Sequence, residues 1–244
     1  MYSLSIVIPL FNEQKRLQKT LPKIYDFLAR SKKNKIETIF VSDGSYDETN
    51  SIINDFIKKN FKISRFKFIH YKNNVGKGFA IKKGVLAAKN KWILICDADL
   101  SVNPNQFEIW IKQNKILDNK TAYYGSREHK DSIIEASIIR KLLGYFFKLI
   151  IKILFNITLK DTQCGFKVFH RNYTKKIFKK LKSYRFAFDV ELTILLKQNK
   201  INIIELPLKW YHRPDSKLNI FFDIPKMIYD IIIIKIKYFN QKFL

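Results

Sequence analysis

Glycine and proline are scarce in these 244 residues, at seven and six, and cysteine and histidine are scarcer, at two and four. So little Gly and Pro excludes collagen-like and linker-type low-complexity chains. The two cysteines, Cys96 and Cys164, have no CxxC partner. This excludes a disulfide scaffold and predicts reduced thiols in a cytoplasmic protein. No window holds the roughly 20 unbroken apolar residues of a membrane span. The chain opens on an apolar strand and not on a basic leader, so a protein that is soluble or lies on a membrane is expected. Acidic residues are also few, 21 against 46 Lys and Arg, for a net charge of +25. Such a balance suits an anionic partner, whether nucleic acid, an acidic membrane surface or a phosphorylated substrate. A composition rich in Lys, Asn, Ile and Phe also arises from AT-rich coding without any binding role. No Arg-rich segment, zinc spacing or RNA-binding aromatic signature is present, which argues against nucleic acid.

What is present is enough apolar sequence, 47%, for a full core. The length fits one large domain, or one domain with an extension. Apolar runs at 4–9, 36–42, 66–71, 92–97 and 121–125 predict strands, and 15–30, 47–59, 77–89 and 104–117 predict helices. A helix at 135–157, a strand at 166–169, helices at 171–181 and 188–199 and a strand at 201–206 follow. Alternation of this kind predicts an α/β fold, a mostly parallel central sheet with helices on both faces. We assign 1–210 to the domain, including helix 135–157, and 211–244 to a basic, apolar C-terminal tail.

The most telling stretch is Trp92-Ile-Leu-Ile-Cys-Asp-Ala-Asp-Leu-Ser101. A buried strand there would deliver Asp97 and Asp99 to the carboxyl edge of the sheet, where α/β folds bind ligands. Two hard oxygen donors suit Mg2+ or Mn2+ shared with substrate phosphates. A turn whose Asp, Asn103 and Pro104 start the next helix is the plain alternative. Strands one and two end in loops expected on that same edge, Pro9-Leu-Phe-Asn-Glu13 and Ser42-Asp-Gly-Ser45. Asp43 could accept from a nucleobase or ribose, or cap a helix; Asp47 is the better pure cap. Phe11 could stack on a base or close the core. Asn73-Asn-Val-Gly-Lys-Gly78 is neither a Walker loop nor a full GxGxxG. Its Lys77 opens a helix whose N-terminus attracts phosphate, although an ordinary tight turn reads the same way.

Together the opening Ile-Val-Ile-Pro-Leu-Phe-Asn-Glu, Ser-Asp-Gly-Ser at 42–45, Asn-Val-Gly-Lys-Gly at 74–78, Asp-Ala-Asp at 97–99 and Gly-Ser-Arg at 125–127 resemble the family 2 glycosyltransferases of the GT-A fold. In the second half, Asp161-Thr-Gln-Cys-Gly-Phe-Lys167, Phe188-Asp-Val-Glu-Leu192 and Trp210 followed by Ser216-Lys-Leu218 resemble the dolichyl-phosphate β-glucosyltransferases and related polyprenyl-phosphate enzymes. The resemblance implies that Pro9, Phe11, Glu13 and Asp43 line a nucleotide pocket and that Asp97 and Asp99 hold the metal. Ser101 stands where dolichyl-phosphate mannose synthases often have a metal-contacting Gln. Arg127 and Arg140 match arginines that meet phosphates, and Gln163, Asp189 and Glu191 would border sugar and acceptor. The implied activity is inverting transfer of a hexose, with glucose favoured, from a UDP-sugar to polyprenyl phosphate at the cytoplasmic membrane face.

The chemistry is consistent with those residue types. Displacing a nucleoside diphosphate from C1 needs the leaving charge stabilised, which a divalent cation with Arg or Lys does electrostatically. A hydroxyl acceptor also needs a general base, and Asp189 could be that base, orient an arginine, bind sugar hydroxyls, or cap its helix. A phosphate acceptor needs none, because its second pKa is about 6. His70, His129, His170 and His212 fall outside the motifs and suit structural or surface positions. Transfer to a glycan or protein hydroxyl, and nucleotide-sugar binding without turnover, are the competing readings.

Two segments suit a membrane interface. Over 141–154, Lys141, Lys148 and Lys152 fall within roughly 40° at 100° per residue. Leu142, Phe146, Leu149 and Ile153 form an apolar arc, with Leu143, Ile150 and Leu154 beside it. Such a helix lies on an anionic membrane or packs its apolar face on the domain. In the tail, Pro225 would start a helix through Met227, Ile228 and Ile231–Ile234, with Lys235, Tyr238 and Lys242 at headgroups.

Overall fold

A computed structural model describes residues 1–116, 118–134, 138–211 and 220–239; for 138–146, 220–224 and Phe239 it describes the backbone path alone. The chain runs β1 (Ser3–Leu10), α1 (Gln14–Arg30), β2 (Lys35–Asp43), α2 (Thr49–Asn60), β3 (Arg65–Tyr71), α3 (Lys77–Ala87), β4 (Trp92–Ile95), α4 (Asn105–Lys112) and β5 (Thr121–Gly125). It continues through β6 (Ile133–Ile134), α5 (Ile138–Phe155), β7 (Lys167–His170), α6 (Arg171–Lys180), α7 (Phe188–Gln198), β8 (Asn202–Leu206), β9 (Lys209–Trp210) and α8 (Ile220–Phe239).

Seven strands form one sheet in the order β3-β2-β1-β4-β7-β5-β8. All neighbours are parallel except β7, which runs antiparallel between β4 and β5. Strand alternation divides the core in two. Leu4, Ile6, Ile8 and Leu10 of β1 meet α1, α2 and α4 on one face. Val7, with Val41, Ile93 and Ile95 of its neighbours, meets α3, α5, α6, α7 and α8 on the other. That is the period-2 signature of strands covered on both faces. Leu10 pairs with Ser42 and Val7 with Ile95 in parallel register. The loops after β1, β2 and β4 therefore open on one edge, at the point where the chain reverses its direction across the sheet.

Several boundaries differ from the sequence expectation for local reasons. β4 stops at Ile95, opposite Lys167, where the antiparallel partner ends. α4 ends at Lys112, not 117, because Asn114 adopts φ 52°, a left-handed stop that Asn tolerates. Pro225 does not start α8; it lies inside a helix that begins at Ile220. Proline there removes one helical donor, which the helix tolerates. α8 sends Met227, Ile231, Ile234 and Tyr238 into the core, and α5 sends Phe147 and Ile151. Part of each apolar arc thus packs on the domain, while Leu149, Ile153, Tyr229, Ile232, Ile233 and Ile236 stay exposed. Among the described residues no helix is long and apolar enough to cross a membrane.

Candidate active site

At the shared edge, the β1 and β2 loops are stitched together by side chains. Asn12, at φ 51°, donates its N–H to Ser45 Oγ at 3.0 Å and accepts from Tyr46 N through Oδ1 at 3.0 Å. Glu13 N donates to Thr49 Oγ1 at 2.7 Å, and the buried Glu13 carboxylate faces Arg16 Nη1 at 3.2 Å. Asp47 accepts from Gln14 N and from Thr49 N, the first residue of α2, while the cap position itself is Glu48 and not the expected Asp47. Phe11 is half-buried and meets Tyr46 edge-on at 6.1 Å. Tyr46 itself is 86% exposed, an aromatic at the mouth of this edge that the motifs did not single out. Pro9 is buried inside β1, opposite Val41.

Asp43 is neither a helix cap nor an open acceptor. Its buried carboxylate takes Val75 N at 2.9 Å on Oδ1, and Gly76 N at 2.8 Å and Asn74 Nδ2 at 2.9 Å on Oδ2. It therefore shapes the 74–76 loop that precedes Lys77. Gly76 sits at φ +129°, and a Cβ there would lie 2.3 Å from the Tyr184 carbonyl oxygen, so only glycine fits.

Lys77 opens α3 and places Nζ 2.7 Å from Asp97 Oδ1. Burial pulls its ammonium down, but Asp97, with Asp189 and Asp99 beyond, holds it above its ordinary value. Burial works the other way on Asp97, and Lys77, then Lys167 and Arg127, outweigh it and hold the carboxyl low. Asp97 rests on the Gly165 backbone, where an added Cβ would come within 2.0 Å of Oδ2. Asp99 is half-exposed, and its Oδ1 accepts Ser101 N at 2.9 Å.

Two further pairs complete the centre. Arg127 grips Asp161 with Nε at 2.7 Å and Nη2 at 2.9 Å in a planar fork, and the same carboxylate accepts Arg127 N at 3.0 Å. This pairing keeps Asp161 low against the opposing effect of burial. Lys167, only 1% exposed at the start of β7, puts Nζ 2.7 Å from Asp189 Oδ1, 2.5 Å from the Cys164 carbonyl oxygen and 4.9 Å from the Tyr124 ring centre. Burial still raises the Asp189 carboxyl, against the pull of Lys167 and Lys77. Asp189 is in the first turn of α7 and does not cap it; the cap position is Ala187. Gln163 is half-buried beside Asp161, which accepts its N–H at 3.2 Å. Arg140 lies on α5, and its side chain is outside the described residues.

The structure thus gathers Lys77, Asp97, Asp99, Arg127 and Asp189 into one cluster. It adds Lys167 and Asp161, to which the sequence reading gave no role. The available signal was a charged residue heading the apolar strand Val168-Phe169. Glu191, expected beside sugar and acceptor, is instead fully buried behind the site. It accepts Lys182 N at 2.8 Å and Ser183 N at 2.5 Å on one oxygen, and Tyr238 OH at 2.8 Å with Lys237 Nζ on the other. His170 is structural, its Nδ1 accepting Asn172 N at the head of α6. Cys96 and Cys164 are buried and unpaired, and burial pushes the Cys164 thiol up to about 12.

Among the described residues no three His, Cys, Asp or Glu side chains converge as a metal cage. The donor set nonetheless fits a cation held jointly with phosphates. Asp97 Oδ1 is buried beside Lys77 without a well-directed hydrogen bond, and Asp99 keeps Oδ2 free of hydrogen bonds among the described residues. Mg2+ is commonly held by one or two carboxylates, with waters and substrate phosphates supplying the rest.

A mostly parallel sheet of this order, with carboxylates and cations on its carboxyl edge, has the architecture of the GT-A fold. The glycosyl transferase family 2 model matches residues 5–178, and the chain belongs to that family and is a glycosyltransferase. It is 34% identical over 244 residues to the dolichyl-phosphate beta-glucosyltransferase of Dictyostelium discoideum, covering 96% of this chain and 74% of that one. Among solved structures it is similar to the glucosyl-3-phosphoglycerate synthase of Mycobacterium tuberculosis in complex with UDP. That match has a TM-score of 0.65 and 15% identity, covering 97% of this chain and 79% of that one. A mannosyltransferase from Pyrobaculum calidifontis, in complex with GDP-Man and Mn2+, matches with a TM-score of 0.58 at 14% identity over 88% of this chain and 58% of that one.

Proposed function

We propose that this enzyme transfers glucose from UDP-glucose to a polyprenyl phosphate at the cytoplasmic face of a membrane, with inversion at C1. The similarity to dolichyl-phosphate beta-glucosyltransferases supports sugar and acceptor together. The observation that carries the choice of acceptor is the Lys167–Asp189 pair. Asp189 is the acidic group best placed to act as a base, and a buried ammonium at 2.7 Å holds its carboxylate. A hydroxyl nucleophile needs an available base; a phosphate monoester arrives already anionic.

In this reading an acceptor phosphate oxygen attacks C1 of the glucose. The bond from C1 to the diphosphate oxygen breaks, and its electron pair leaves with UDP. Asp97 and Asp99 would hold Mg2+ or Mn2+, which supplies charge stabilisation to the leaving diphosphate. Three cations, Lys77, Lys167 and Arg127, face four carboxylates in the cluster, so an incoming diphosphate needs added positive charge. That charge would come from the metal, and Lys77 would turn from Asp97 toward phosphate at the N-terminus of α3. Arg127, fixed by Asp161, and Arg140 take acceptor phosphate. Phe11 and Tyr46 stack the base, Pro9, Glu13 and Asp43 build the wall behind it, and Gln163 and Asp189 bind sugar hydroxyls. The raised Asp189 carboxyl favours a second reading, in which it deprotonates a glycan or protein hydroxyl.

The deciding experiment is transfer of radiolabel from UDP-glucose into organic-extractable lipid, with purified protein, a short polyprenyl phosphate and Mg2+. Label in a mild-acid-labile lipid supports the proposal. Label from a different nucleotide sugar corrects the donor alone. No lipid labelling from any donor refutes the phosphate acceptor and makes Asp189 the base to test.

A further inference from the structure

The outward faces of α5 and α8 do not behave like ordinary surface. On α8, Met227, Ile231, Ile234 and Tyr238 point into the core, and the opposite side carries Tyr229 at 64% exposure, Ile232 at 48%, Ile233 at 46% and Ile236 at 54%. At 100° per residue these four fall within an arc of about 100°. On α5, Phe147 and Ile151 point inward while Leu149 and Ile153 stand out, Ile153 at 72%. The helices are neighbours: Lys235 Nζ donates to the Leu154 carbonyl oxygen and lies 5.7 Å from the Phe155 ring centre. Six large apolar side chains thus remain in solvent on two bridged helices, more than scattered exposure explains.

We infer that these two exposed stripes are a docking surface for an anionic lipid bilayer. The proposal rests on the lipid-acceptor reading for its purpose, though not for its geometry. Lys152 and Lys226 are exposed beside the stripes, where they would reach headgroup phosphates as the isoleucines enter the acyl boundary. Asp230 is the one described acidic side chain on α8, and it is half-buried at the stripe's edge. A second copy is a poorer occupant, since a two-fold contact would oppose the same lysines on two chains of net charge +25. With no described helix able to cross a membrane, attachment through these faces would lie along the surface. Lys148, which the sequence placed in the lysine stripe, pairs with Glu128 and contributes less than its position suggests.

The test uses the full chain and its Ile232→Asp/Ile236→Asp variant, both changes being at exposed positions that leave the core untouched. Wild type should co-sediment with phosphatidylglycerol-containing vesicles and release with added salt, and the variant should bind at least about tenfold more weakly. The variant should keep transfer to a short, water-soluble prenyl phosphate and lose transfer to a long-chain acceptor embedded in vesicles. Equal sedimentation of the two proteins overturns the surface. So does a dimeric wild type that the variant makes monomeric. Vesicle binding by wild type without transfer to any prenyl phosphate would uphold the surface and refute the acceptor instead.

Discussion

Lys167→Met keeps the volume of the buried side chain and removes its charge. In the wild type the ammonium bridges Asp189 Oδ1, the Cys164 carbonyl oxygen and the face of Tyr124, at 1% exposure. Without it, Asp189 is a buried carboxylate missing its nearest counter-charge. Breaking one half of a buried pair costs about 3–5 kcal/mol, against a typical total stability of about 5–15 kcal/mol. The loss should depend on pH in a definite sense. Burial already raises the Asp189 carboxyl, and losing Lys167 raises it further. A group whose folded pKa exceeds its unfolded one disfavours folding increasingly as pH rises from the unfolded value to the folded one. The variant should therefore lie nearest wild type around pH 4 and be farthest from it at neutral pH and above. Urea unfolding at several pH values measures this, and Lys167→Met/Asp189→Asn should regain most of the lost stability because no buried charge remains unpaired. Transfer by Lys167→Met should fall by about a hundredfold, mainly in kcat, as Asp189 loses its fixed orientation. A loss below about 1 kcal/mol, or the same loss in the double variant, would refute the pairing as the reason Lys167 is buried.

Asp99→Ala should abolish transfer while leaving the thermal midpoint nearly unchanged, since its carboxylate is half-exposed and bonds one backbone N–H; retained activity would remove it from the metal site. Chelator should stop transfer and Mg2+ or Mn2+ restore it, whereas indifference to chelation would leave Asp97 and Asp99 without the role assigned here. Gly165→Ala sets a methyl within 2.0 Å of the Asp97 carboxylate. It should cost at least about tenfold in kcat/KM, equivalent to about 1.4 kcal/mol, with little change in unfolding by urea; wild-type kinetics would mean that Asp97 can move freely.

The alternation of strands and helices was legible because buried strands and amphipathic helices leave different periods, and the carboxyl-edge loops followed from parallel pairing. Asp97 and Asp99 were legible for the same reason, since both stand within four residues of the end of β4. What escaped were partners distant in sequence. Asp43 looked like a cap or a ligand acceptor because its donors arrive from a loop 31 to 33 residues later. Lys167 stood at the end of a motif with no role of its own because its partner lies 22 residues on. Arg127 stood in a motif as a candidate for phosphate, but Asp161, which holds it here, is 34 residues away. Glu191 carried the right motif and the wrong direction: helix periodicity gives the face of α7 but not what later packs against it. The termination of α4 at Asn114 was missed because a helical run of apolar spacing hides a single left-handed residue.

The position of Glu191 bears on where this chain can be shortened. Its carboxylate is fully buried, and it joins the backbone of Lys182 and Ser183 to Lys237 and Tyr238 near the end of α8. The next residue, Tyr184, offers its carbonyl oxygen to Phe79 N at 3.1 Å and covers Gly76. A deletion meant to make the enzyme easier to handle by trimming its greasy C-terminal helix would therefore remove two of the four donors on a buried anion. It would also loosen the floor beneath the Lys77 loop. Outward-facing substitutions on α8 leave this network in place; excision of the helix would reach the Lys77–Asp97 cluster from behind.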